Sequence, residues 1–105
     1  MTEAEFEAQA QAILGQVRQA LEAAAPDADV EAKGDGVIEV EFGDGSKMVI
    51  NRHGAAREIW VAARSGGFHF ASREGAWRDT RSGEELFASL ARLIEAQSGE
   101  RVRWS

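Results

Sequence analysis

Apolar positions recur with a helical period at both ends of the chain and with a period of two between them. Phe6, Ala10, Ile13, Leu14, Val17 and Leu21 follow one another at steps of three and four, which lines up a single buried stripe on a helix. Thr2-x-x-Glu5 is placed to open that helix as a capping box, and Pro26, the one proline, lies just past its expected end. Leu86, Phe87, Leu90, Leu93 and Ile94 give a second helix its apolar face, with Ser82-x-x-Glu85 as a capping box ahead of it and Gly99 behind it. In the middle, Val37-Ile38-Glu39-Val40-Glu41-Phe42 alternates as a half-exposed strand does, and Gly43-Asp44-Gly45 carries a hairpin signal. Further strands are expected over 45–52, 58–61 and 66–70 and around Trp77, separated by glycine-containing breaks. Val102 and Trp104 alternate with Arg101 and Arg103, as in a last short strand or a packed tail.

Alternation also sorts the strand residues by face. Met48, Ile50, Ile59, Val61, Phe68 and Phe70 form a consistent inner set, which sends Lys47, Val49, Asn51, Glu58, Trp60 and His69 outward. A tryptophan on a face otherwise made of amides and charges is unusual, and tryptophan is the type most enriched at binding hot spots. A bulge after His53-Gly54 would reverse the parity of the strand that carries it. The element order is helix, strand meander, helix, tail. It predicts an α+β fold: a two-layer α/β sandwich with the N-terminal helix and the helix near the C-terminus packed side by side on one face of an antiparallel sheet of five to seven strands. Trp60 then belongs to the free face of that sheet.

At 105 residues the chain suits a single domain over 1–105, with one core. Charge changes the picture more than composition does. The net charge of −6 hides a split, −9 over residues 1–44 against +3 over residues 45–105. Phosphates repel the acidic half, so nucleic acid is not an expected partner, whereas cations and basic protein surfaces are. A plain alternative is an acidic surface kept for solubility. With no cysteine the chain has no disulfide and no thiolate ligand for a cluster. No apolar run approaches the roughly 20 residues of a membrane span, and the acidic Met1-Thr2-Glu3 start lacks a signal-peptide n-region. No membrane partner and a cytoplasmic location are expected.

Candidate chemistry is sparse. Neither His53 nor His69 sits in a Ser/His/Asp pattern, no Glu-x-x-His pair points to a di-iron site, and the glycine turns are neither GxGxxG nor Walker loops. The chain is not expected to be an enzyme. Asp27-x-Asp29-x-Glu31 would project its carboxylates to one side of an extended chain, about 6.6 Å apart. As an EF-hand it fails, since Ala32 and Ile38 stand where Gly and Glu are needed. Glu3, Glu7, Arg18 and Glu22 share a side of the first helix, within roughly 100° of one another.

Taken together, Gly45-Ser46-Lys47, Ile50-Asn51-Arg52, Ile59-Trp60-Val61-Ala62, Gly66-Gly67-Phe68-His69-Phe70, Trp77 and Arg81-Ser82-Gly83-Glu84 resemble the frataxin family in its bacterial form, over essentially the whole chain. The resemblance implies the same sandwich fold. It also implies iron, Fe2+ or Fe3+, held weakly by an acidic ridge, here Glu3, Glu7, Glu22, Asp27, Asp29 and Glu31, with Glu39 and Glu41 on the neighbouring strand. It further implies docking on the cysteine desulfurase and the iron–sulfur scaffold machinery. Asn51, Arg52, Glu58 and Trp60 would be the sheet-face contacts, with Glu39 and Glu41 beside them. Against the family pattern, His53 and Glu58 each stand where glutamine is usual, and the back of the first helix carries few of the carboxylates common in bacterial relatives. The function implied is an iron-binding regulator of iron–sulfur cluster assembly that also delivers iron. A ferroxidase or iron-storage protein is one alternative, and an acidic interaction module with no metal role is another. A monomer is expected, with iron-dependent oligomers as the variant state.

Overall fold

The structure, a computed structural model, describes residues 1–104. Helix α1 spans Glu3–Ala24. Thr2 caps it: its hydroxyl accepts from the Glu5 N–H at 3.1 Å, while the Glu5 carboxylate accepts from the Thr2 N–H at 2.9 Å. This is the reciprocal capping box expected of the sequence, and Thr2, by its backbone N–H first and its side chain second, holds the Glu5 carboxyl below the usual range. Six strands follow: β1 (Asp29–Ala32), β2 (Val37–Glu41), β3 (Lys47–His53), β4 (Glu58–Ala63), β5 (Gly66–Arg73) and β6 (Ala76–Asp79), then α2 (Leu86–Ser98). Each strand pairs antiparallel with the next, in the order β1-β2-β3-β4-β5-β6. Short turns between sequential strands make this meander the simplest way to pair them.

One core lies between the sheet and the two helices. Phe6, Leu14, Val17 and Leu21 of α1 and Leu86, Leu90, Leu93 and Ile94 of α2 meet Met48, Ile50, Ile59, Val61 and Phe70 of the sheet, all buried. Phe68 is half-buried at its margin, beneath the Arg92 guanidinium. The parity of β4 is the expected one: Ile59 and Val61 face the core and Trp60 does not, so no bulge intervenes. Trp77 packs edge-on against Phe6, and the tail closes the helix side, with Val102 buried and the Trp104 indole N–H donating to the Phe87 carbonyl at 2.8 Å. The tail is packed chain, not a strand.

The start of α2 differs from expectation. Ser82 is not its cap. Asp79 accepts from the N–H groups of Arg81 and Ser82, a turn that leaves Gly83 at φ +78°. Glu84 is drawn to Arg92 and Ser89, which together hold its carboxyl below the usual range. Glu85 is left as the N-cap, accepting from the N–H groups of Phe87 and Ala88. Gly99, in the left-handed conformation, ends the helix as anticipated.

Candidate functional site

The sheet face turned away from the helices carries two distinct regions. The first is acidic and lies at the β1–β2 edge. Val30, Ile38 and Val40 face inward, so alternation sends Asp29, Glu31, Glu39 and Glu41 outward. The register then places Asp29 directly opposite Glu41 and Glu31 directly opposite Glu39. Like charges facing across a ladder repel. Two lysines offset this: Lys47 lies 3.4 Å from Glu39 and Lys33 lies 3.2 Å from Glu31. The Lys33 ammonium is raised above its ordinary pKa, first by its hydrogen bond to Glu31 and then by the field of Glu31, Glu39 and Glu41. A surface ammonium that registers three carboxylates marks a coherent negative patch.

The other ridge residues are scattered. Asp27 sits in the turn after Pro26, closed by a 3.0 Å bond from the Ala28 N–H to the Ala25 carbonyl, and not in β1. The expected row of three carboxylates therefore reduces to Asp29 and Glu31. On α1, Glu3 is exposed, Glu22 pairs with Arg18 at 3.5 Å, and Glu7 pairs with Arg52 at 2.9 Å. Among the described residues no three His, Asp or Glu side chains converge to hold a metal ion. The donor set is all hard oxygen, spread over a surface, and suits a diffusely attracted hard cation, not a coordinated one.

The second region is the middle of the sheet. Register sets Trp60 between Asn51 on β3 and His69 on β5. His53 and His69 stack on its two sides, with ring centroids 3.8 and 4.2 Å away and planes within 8° and 7° of parallel. The indole N–H donates to the Glu58 carboxylate at 2.9 Å, and the same oxygen lies 3.8 Å from the His69 Nδ1. His53 Nδ1 accepts from the Ala56 N–H at 3.1 Å, which fixes that ring to the β3–β4 turn. The Asn51 amide lies alongside, donating to the Arg52 carbonyl at 3.3 Å.

Arg52 does not belong to this face, contrary to the docking role expected of it. It follows Ile50 and Met48 in parity and so points to the helix side. There its side chain is only 20% exposed, and the guanidinium bridges Glu7 of α1 and Asp35 of the β1–β2 turn at 2.9 and 3.1 Å. Gly36 is needed beneath it: its φ is +80°, and a Cβ there would stand 3.1 Å from the guanidinium. The histidine stack was not anticipated either. The register sets His69 directly opposite Trp60, whereas His53 lies opposite Glu58 and reaches Trp60 only on the diagonal.

A groove of about 790 Å³ between α1 and the tail is lined by Gln16, Gln19, Ala20, Phe87, Arg103 and Trp104 among others. It holds no carboxylate or imidazole and adds nothing to either region. No helix of the described residues is long and apolar enough to cross a membrane.

Comparison with known proteins agrees with this geometry. The model of the frataxin-like domain family matches residues 1–100. An iron-sulfur cluster assembly protein CyaY of Dechloromonas aromatica is 48% identical over 102 residues, covering 97% of both chains. Frataxin from Psychromonas ingrahamii superposes with a TM-score of 0.89 at 30% identity, covering 100% of this chain and 99% of that one. Trimeric frataxin from Saccharomyces cerevisiae, complexed with ferrous iron, superposes at 0.66 with 26% identity, covering 95% and 88%.

Proposed function

The chain belongs to the frataxin family, and on that premise we propose that it is a non-enzymatic, iron-binding regulator of iron–sulfur cluster assembly in the bacterial cytoplasm. It docks on the cysteine desulfurase and its scaffold through the outer sheet face. Iron is cargo, held weakly by surface carboxylates. The observation that carries this reading is the pairing of a patterned acidic edge, Asp29, Glu31, Glu39 and Glu41, with a half-buried tryptophan a few strands away on the same face. The acidic edge draws in a basic partner surface and hard cations at long range, and its effect falls as salt rises. The indole supplies short-range contact area, of the kind that dominates interface energies.

A relative bears the name iron-sulfur cluster assembly protein, and a structural neighbour was solved in complex with ferrous iron. Both facts support the reading. The absence of any convergent ligand set among the described residues favours loose iron over a closed site. The chain is proposed to act as a monomer, with trimeric yeast frataxin as the precedent for assemblies in the family. The test is a titration of the purified chain into the cognate desulfurase, with and without Fe2+, at two salt concentrations. Salt-sensitive binding is expected, abolished by Trp60→Ala at high salt. Binding that ignores both Trp60 and salt overturns the docking. Catalysed Fe2+ oxidation above the buffer rate would favour a ferroxidase instead, and no spectral response to Fe2+ would leave an interaction module alone.

A further inference from the structure

We infer that His53 and His69 are positioning residues that hold the Trp60 indole upright, so that the sheet face presents it edge-on. This deepens the docking reading and rests on it. The three rings come from three adjacent strands, β3, β4 and β5, and stack nearly parallel at 3.8 and 4.2 Å. A stack whose axis runs across the strands has its ring planes standing up from the sheet. Both faces of the Trp60 ring are therefore covered, and its N–H is already committed to Glu58. What remains for a partner is the carbon edge of the indole and the outer sides of the two imidazoles.

That arrangement dictates the partner's chemistry. A planar group from the partner cannot stack on Trp60, because the histidines occupy both faces. The fitting occupant is a narrow apolar slot that takes the indole edge, bordered by basic side chains on the side that meets Asp29, Glu31, Glu39 and Glu41. Hydrogen bonding adds direction. His53 Nδ1 accepts from the Ala56 N–H, so the neutral ring carries its proton on Nε2, which is a donor for the partner. The stack thus asks for an acceptor on the β3 side of the slot.

Without the histidines the indole would gain rotamers that docking must then freeze. The freedom of one side chain amounts to about a threefold to tenfold loss in affinity. The experiment measures desulfurase affinity for His53→Ala, His69→Ala, His69→Phe and Trp60→Ala in the full chain, together with 15N relaxation of the Trp60 indole N–H in the free protein. Each His→Ala variant is expected to weaken binding about threefold to tenfold and to loosen the indole on the nanosecond scale. His69→Phe, which keeps a flat ring in the stack, is expected to restore both. Unchanged affinity in both alanine variants, with Trp60→Ala still defective, overturns the positioning role and leaves the docking reading standing. Loosened indole motion with unchanged affinity even in Trp60→Ala overturns the docking reading as well. A loss in the alanine variants that His69→Phe does not rescue also overturns the positioning role.

Discussion

The two regions of the outer sheet face are built on different principles. The β1–β2 edge is a field: four carboxylates, Glu39 half-buried and the others exposed, face one another in pairs, each pair costing folding energy, and two lysines only partly compensate. The β3–β5 centre is a shape: three rings, a carboxylate and a turn N–H fix one another within hydrogen-bonding or stacking distance. A field tolerates displacement of any one member, since charges act over about 8–10 Å. A shape does not, because stacking and hydrogen bonding decay within about an ångström. The acidic edge is therefore expected to set encounter rate and salt dependence, and the aromatic centre to set lifetime.

The largest effect that sharpens this contrast lies beneath the sheet. Trp77 is 8% exposed and packed against Phe6, and Trp77→Ala is expected to cost about 3–5 kcal/mol in urea denaturation. A cost near zero would mean that the two sheet faces have been exchanged. Arg52→Ala comes next. It removes two ion pairs whose carboxylates remain open to water, so it should cost about 1–2 kcal/mol in all, while leaving the salt-independent part of desulfurase affinity unchanged. Loss of that affinity would return Arg52 to the docking face.

Trp60→Ala removes two ring stacks, each of a kind worth about 0.5–1.5 kcal/mol. The melting temperature should therefore drop by several degrees, far less than for Trp77→Ala, with affinity weakened at least about tenfold. Neutralising the acidic edge as Asp29→Asn, Glu31→Gln, Glu39→Gln and Glu41→Gln should do the reverse. Association slows and iron occupancy falls, while stability holds or rises by up to about 1 kcal/mol as facing like charges are removed. A marked destabilisation would show that the Lys33 and Lys47 pairs outweigh the repulsion.

The smallest effect concerns a carboxylate outside both regions. Asp44 accepts from the hydroxyl and N–H of Ser46 and from Arg64, and these contacts, the Ser46 hydroxyl foremost, lower it from its ordinary 3.8 to about 2. A carboxylate whose folded value is depressed stabilises the fold above its unfolded value. That contribution is therefore complete above about pH 4 and disappears as pH falls towards about 2. Acid denaturation of Asp44→Asn should be less steep in that window, and an NMR titration of the Asp44 carboxyl carbon reads the midpoint directly.

Much of the candidate site is legible in the amino-acid sequence alone. The alternation through Ile59-Trp60-Val61 puts the indole outside, and Glu39 and Glu41 follow from Ile38 and Val40 in the same way. Arg52 is the instructive failure. Strict alternation from Met48 and Ile50 places it on the inner side, and only resemblance to the family moves it outward; the local rule is the better guide. Asp27 fails for the opposite reason. Its spacing from Asp29 assumes an extended chain, and a backbone turn after Pro26 takes that chain's place.

What the sequence determined by itself is which face each residue occupies, because periods of 3.6 and 2 are properties of the local backbone and need no knowledge of distant parts. The two helices, the strands β2 to β6, the core and the outward tryptophan follow from it; β1, too short to show a pattern, does not. What only the tertiary structure decided is which outward groups meet. The His53–Trp60–His69 stack depends on the register of two hairpins, the facing carboxylate pairs on a third, and the Arg52 bridge on how close α1 lies to the β1–β2 turn. Those distances are set by packing across the core, where residues far apart in sequence must fill one space. No local pattern encodes them.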